Sequence, residues 1–221
     1  VGGECLQNTG MKLLTFCSDS HVGLLRDFFM PSFYAHPEGF DSLVIARMNQ
    51  VCHSATYKMP GWNEFFIARI RRIIDELDST PDGGFIFLID CDVQWFGPID
   101  VLLDPAIDFQ CQNDGAGGLC PGFSIIKVGY LMKKFWRCVQ IHAAASGQDD
   151  QFSINDLIQD FPLRVQMFNK ERVWTTRAIW ELNEPIPIIP KEILAHHANW
   201  TVSVKNKEAI LTGVRNTVAS R

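Results

Sequence analysis

The sequence predicts an α/β domain with a mixed, largely parallel central sheet flanked by helices. Two observations carry this. Short apolar runs alternate along the chain with longer stretches whose apolar residues recur every three or four positions. One run, Phe85–Ile89, is apolar at every position, the pattern of a central strand buried on both faces.

The elements follow in order. Lys12–Cys17 is an apolar strand that stops at the polar cluster Ser18-Asp19-Ser20. Leu24, Leu25, Phe28 and Phe29 have helical spacing, in a helix that meets Pro31. Ser42–Ala46 is a second strand. Phe66, Ile70, Ile73, Ile74 and Leu77 form one stripe of a helix running from about Asn63 to Leu77. Asp82-Gly83-Gly84 then leads into Phe85–Ile89. Asp108–Cys111 and Gly122–Val128 read as strands, with the glycine-rich loop of residues 113–118 between them. Tyr130–Ala145 and Gln151–Gln159 are helical, and Leu163–Phe168 is a strand. Pro185, Pro187 and Pro190 stiffen an extended segment leading to His196-His197. Asn206 is the expected N-cap of a terminal helix carrying Ile210, Leu211, Val214 and Val218.

Composition narrows the function. The 221 residues are 47% apolar and 11% aromatic, enough for a single folded domain with a real core. The formal net charge of -5 argues against a general nucleic-acid binder, but leaves room for one basic pocket for a phosphorylated ligand. Seven cysteines (Cys5, Cys17, Cys52, Cys91, Cys111, Cys120 and Cys138) include no C-x-x-C pair and mostly sit in apolar runs. They read as buried thiols in a reducing compartment. No apolar stretch reaches the roughly 18–20 residues of a membrane span, and the polar, glycine-rich first ten residues do not resemble a signal peptide. Met11 looks like a native start, so residues 1–10 are expected to be an appended or disordered arm, and residues 11–221 one domain. Cytoplasmic work is the expectation.

The sharpest chemical feature is Asp90-Cys91-Asp92, directly after the buried strand. Two carboxylates leaving an apolar strand together need compensation. Alternation on an extended chain sends both to one side, at the carboxyl end of a central strand where α/β ligands bind. Their hard oxygens suit Mg²⁺ or Mn²⁺, which in turn binds a diphosphate. His196 and His197 come late, and an imidazole can complete such a site; on an extended segment only one of the two can face it. Lys205 and Lys207 are candidate diphosphate partners. Arg69 flanks the apolar stripe of its helix and can reach the carboxylates or a donor. Ser18 and Asp19 end the first strand, where they can accept from a base or ribose. Asp150 and Gln151 either cap a helix or face a sugar. Asp114, in the glycine-rich loop, is a candidate for sugar or acceptor hydroxyls. Trp62, Trp95, Trp174, Trp180 and Trp200 read as core more than as sugar platforms.

These segments carry a resemblance. Phe-Ile-Phe-Leu-Ile-Asp-Cys-Asp-Val-Gln-Trp-Phe-Gly-Pro (85–98) resembles the D-x-D segment of GT-A-fold glycosyltransferases. Leu13–Ser20 resembles their first strand and nucleotide-binding loop. Gly147–Gln151 with Asn155 resembles their D-Q-x-x-x-N segment, and His197-Ala198-Asn199-Trp200 with Lys205 their late H-x-N-W…K segment. The chain is most similar to the group that includes plant cell-wall xylosyltransferases, more distantly to glycogenin-like enzymes, and also to a compact viral capsid glycosyltransferase domain. The resemblance implies a GT-A fold and metal-dependent sugar transfer, with retention, from a nucleoside-diphosphate donor, a UDP-sugar, to a hydroxyl of a glycan or glycoprotein.

It further implies Mn²⁺ or Mg²⁺ on Asp90, Asp92 and His197. With Arg69 and Asp114 added from the residue reading above, Ser18, Asp19, Arg69, Asp90 and Lys205 would bind the donor, and Asp150, Gln151 and Asp114 would lie beside the reacting sugar. Two places depart from the pattern. Cys120-Pro121-Gly122 stands where Asn or Ser precedes the glycine, and Ser203 stands where glycine is usual before the late lysine. The chain is short for the fold, so the expectation is an acceptor-binding subdomain that is either reduced or carried on another part of a longer protein. A nucleotidyltransferase and a non-catalytic sugar-nucleotide-binding module are the rival readings. The first would carry a glycine-rich basic loop after the first strand, which Ser18-Asp19-Ser20-His21 is not.

Overall fold

The computed structural model describes residues 11–52, 59–176 and 185–221. Trp180, Cys5 and the expected arm over residues 1–10 lie outside them. Strand β1 (Met11–Cys17) runs into a 3-10 turn at Asp19–His21. The following helix does not stop at Pro31. It passes from α1 (Val22–Leu24) through a π-helical turn (Leu25–Phe29) into α2 (Met30–Ala35). Proline offers no N–H to the carbonyl four residues back. Arg215 Nη1 donates to that carbonyl, Asp27 O, at 2.9 Å, and Ser32 Oγ donates to Phe28 O. The widened turn and these two donors let the helix continue.

Strand β2 (Ser42–Arg47), helix α3 (Trp62–Ser79) and strand β3 (Phe85–Ile89) follow. Then come β4 (Val93–Trp95), β5 (Phe109–Asn113), β6 (Leu119–Lys127), α4 (Tyr130–Ser146), α5 (Asp150–Leu157) and β7 (Val165–Met167). The chain closes with β8 (Val173–Thr175), β9 (Ala195–His197) and α6 (Val204–Ala219).

The main sheet has the order β2-β1-β3-β6-β5-β7. β1 is parallel to both β2 and β3, β6 is antiparallel to β3 and β5, and β7 is parallel to β5. Mixed pairing on an α/β frame is the predicted class. β3 feeds two cores. Ile86 and Leu88 pack with Ile70, Ile73 and Leu77 of α3 and with Phe135 and Trp136 of α4. Phe85, Phe87 and Ile89 pack on the other face with Phe29, Trp95 and Phe123. That is why the strand is apolar throughout.

A second sheet, β4-β9-β8, was not anticipated. Its strands have three residues each, too few for periodicity to register. The terminal helix also begins earlier than expected. Its N-cap is Ser203, whose Oγ accepts from Asn206 N at 3.3 Å, and Asn206 lies inside the helix.

Candidate active site

A cavity of about 330 Å³ opens at the carboxyl ends of β1 and β3. Its wall takes Ser18 and His21 from the turn after β1, Arg69 from α3, and Asp90–Asp92 from the β3–β4 turn. Gly122 of β6, Asp150 and Gln151 at the start of α5, His197 of β9, and Lys207 of α6 also line it. Trp62 and Trp200 stand on its wall, whereas Trp95 lies in the core and Trp174 stacks on His196.

The two aspartates do not share a face by strand alternation. The chain turns at Asp90, with Val93 N donating to Asp90 O at 3.2 Å, and the turn brings both carboxylates to His197. His197 Nε2 lies 3.3 Å from Asp92 Oδ1 and 3.8 Å from Asp90 Oδ2. One ligand atom from each of the three side chains lies within 4.8 Å of the others. Two carboxylate oxygens and an imidazole nitrogen at that spacing suit a divalent cation such as Mn²⁺. On the far side of the ring, Nδ1 stands 2.8 Å from Gln112 Oε1, so Nε2 is the nitrogen turned to the carboxylates. The residues present therefore fit the ion.

The charges are balanced locally. Burial opposes ionisation of Asp92, but Lys207 and His197 beside it hold its carboxyl well below the usual range. Burial likewise opposes charge on His197, yet Asp92 raises its pKa to about 10. Lys207 Nζ bonds Asp92 Oδ2 directly. Arg69 is buried, with Nη2 donating to Asp90 Oδ1 at 2.7 Å and Nη1 bonded to Asp150 Oδ2. Its guanidinium lies 5.2 Å from the Phe16 ring centroid. Burial raises the Asp150 pKa to about 7, with Arg69 pulling the other way.

His196 points to the opposite side of β9. Its Nε2 bonds Thr176 Oγ1, its Nδ1 lies 3.2 Å from Gln94 Nε2, and burial lowers its pKa to about 3. It is a neutral core residue that ties the small sheet together.

Ser18, Arg69, Asp90, Asp92, Asp150, Gln151 and His197 thus gather at one cavity. Three expected residues stand elsewhere. Asp19 points to solvent, paired with Arg47 at 2.8 Å. Lys205 is on the exposed face of α6. Asp114 is buried in its own loop, where Oδ1 accepts from Ala116 N at 2.7 Å and Gly118 N at 2.9 Å, and Oδ2 from Gln151 Nε2 at 3.3 Å. Asn155 bridges α5 to Leu119.

Sequence reading passed over His21 and Gln112, met Gly122 only within the departing Cys120-Pro121-Gly122 segment, and preferred Lys205 to Lys207. A Cβ on Gly122 would sit 2.4 Å from His197 Cε1 and 2.6 Å from Asp90 Oδ2, so only glycine lets β6 pass this close. Lys207 was legible in principle, because it precedes buried Leu211 by one helical turn.

No protein-family model and no curated protein matches the chain. Solved structures do, and the class they define is the GT-A glycosyltransferase fold. The chain is similar to a glycosyltransferase involved in glycosylation of the major capsid of PBCV-1, at 11% identity and a TM-score of 0.61 over 90% of this chain and 98% of that one. It is also similar to the glycosyltransferase GlyE of Streptococcus pneumoniae TIGR4 (16%, 0.52, covering 96% and 64%). A third is mouse xyloside xylosyltransferase 1 (8%, 0.51, covering 86% and 97%). At these identities the likeness is one of fold.

Proposed function

We propose that this chain is a metal-dependent glycosyltransferase that moves a sugar from a nucleoside-diphosphate donor, a UDP-sugar, to a hydroxyl of a glycan or glycoprotein acceptor. The observation that carries the reading is the cluster of Asp90, Asp92 and His197, with Lys207 alongside, on the wall of the cavity. Asp90, Asp92 and His197 would hold Mn²⁺ or Mg²⁺. When bound, the ion supplies positive charge against the diphosphate leaving group. Lys207 adds a second cation at the same edge, in the role that resemblance gave to Lys205. Ser18 and His21 lie where the nucleoside enters.

Arg69 ties Asp90 to Asp150, so the ion site and the sugar side of the cavity share one rigid support. Asp150 and Gln151 face the sugar, and Asp114 braces Gln151 from behind. Asp150 is committed to Arg69, and Asp149 Oδ1 caps α5 through Phe152 N. Asp114, the other carboxylate that could act as base, accepts from Ala116 N, Gly118 N and Gln151 Nε2, so none of the three stands free as the general base an inverting enzyme needs, which supports retention. Among the described residues no helix is long and apolar enough to cross a membrane. The described cysteines are free thiols, which suits the reducing cytoplasm.

The test is nucleotide release from a panel of nucleotide sugars, with Mn²⁺ and with EDTA, for the wild type and Asp92→Ala. We expect Mn²⁺-dependent release with at least one UDP-sugar, lost by about 10²-fold or more in a folded Asp92→Ala protein. Nucleotide binding without turnover on any donor would return the protein to a binding module.

A further inference from the structure

We infer that Gln112 is a positioning residue for the metal site, and that a break in the β5–β6 pairing places it against His197. The inference rests on the metal-site reading above. Cys111 of β5 stands opposite Ser124, but the next residue, Gln112, stands opposite Cys120. Pro121, Gly122 and Phe123 are therefore extra residues on β6, and Pro121 has no N–H to give a ladder. The break does two things at once. It carries the Gly122 backbone past Asp90 and His197, and it leaves Gln112 facing the far edge of the His197 ring.

An imidazole bound to a metal through Nε2 must carry its hydrogen on Nδ1, and a hydrogen bond there fixes both tautomer and ring orientation. Gln112 Oε1, at 2.8 Å, is the oxygen that accepts it; the other neighbour, Cys120 Sγ, is 4.0 Å away. The amide has a cost. Gln112 is fully buried, and its Nε2 has no hydrogen-bond partner among the described residues. A leucine or methionine would fill this space without stranding a donor. The oxygen bond to His197 accounts for an amide at this position.

The test uses the full chain, with Mn²⁺ itself as probe. Free Mn²⁺ is read by electron paramagnetic resonance in titrations of wild type, Gln112→Leu, Gln112→Met, Gln112→Glu and Asp92→Ala, with melting curves in EDTA. We expect Gln112→Leu and Gln112→Met to melt at or above the wild-type temperature, yet bind Mn²⁺ about 10–100-fold more weakly. Gln112→Glu, which restores an acceptor oxygen, should bind within a few-fold of wild type. Wild-type Mn²⁺ affinity in a folded apolar variant would overturn the inference, and so would a loss in Gln112→Glu equal to that in Gln112→Leu. Should wild type bind no more Mn²⁺ than Asp92→Ala, the metal-site reading falls, and this inference falls with it.

Discussion

Lys205 and Lys207 are two residues apart and chemically identical, yet α6 separates their fates. On a helix two residues are about 200° apart, so one lysine faces solvent when the other faces inward. Lys207 shares the buried face of Leu211 and Val214 and reaches Asp92, while Lys205 is exposed. The resemblance named Lys205 as the phosphate contact, whereas the lysine beside Asp92 is Lys207, because the motif fixes a neighbourhood and the helix phase fixes the direction. The consequence is measurable. Lys207→Ala should lower sugar transfer by about 10²-fold, the usual cost of removing one charge-stabilising group from a leaving-group site. Lys205→Ala should stay within about twofold, as for an exposed substitution. Steady-state rates of the two variants decide it, and equal losses would mean that α6 moves when the donor binds.

At the scale of elements, what the sequence shows depends on length and on distance along the chain. β3, α3 and α4 were legible because each carries enough apolar residues to set a period, and their burial follows from it. The aspartates and His197 were legible because they are unusual groups at strand ends. The small sheet was not, since a three-residue strand is specified by its partners and not by its own pattern. Neither was Gln112, whose partner is 85 residues away.

The start of α6 was misread for a different reason. Ser203 has φ 72° and ψ 147°, a region that glycine enters freely and other residues enter at about 1–3 kcal/mol. Nothing in a serine announces that. Its Oγ makes only a 3.3 Å cap bond, worth a few tenths of a kcal/mol against glycine. After the entropy glycine loses on folding, Ser203→Gly should stabilise the protein by about 1 kcal/mol, or about 2–4 °C in Tm. A lower Tm would show that the hydroxyl cap outweighs the backbone strain.

For the molecule as a whole, the proposed cation site joins segments that are distant in sequence. Asp90 and Asp92 leave the main sheet, His197 belongs to the small sheet, and Lys207 comes from the terminal helix. An unfolded chain cannot assemble that set, so an ion bound there stabilises the native state alone. The cluster is nevertheless neutralised before an ion arrives, because Lys207 and His197 already flank Asp92. The two apolar cores on either face of the sheet also owe nothing to the ion. Folding should therefore survive EDTA, unlike that of a small metal-dependent domain. Added metal should raise stability only by mass action. At Mn²⁺ and UDP concentrations near 100 times their joint dissociation constant, the gain is about 2.7 kcal/mol, or roughly 5–10 °C in Tm for a domain of this size. The measurement is a pair of melting curves, in EDTA and in Mn²⁺ with UDP, for wild type and Asp92→Ala. The rise should be absent from Asp92→Ala, whose own melt in EDTA should still be cooperative. An equal rise in both proteins would place the ion outside the Asp90, Asp92 and His197 cluster.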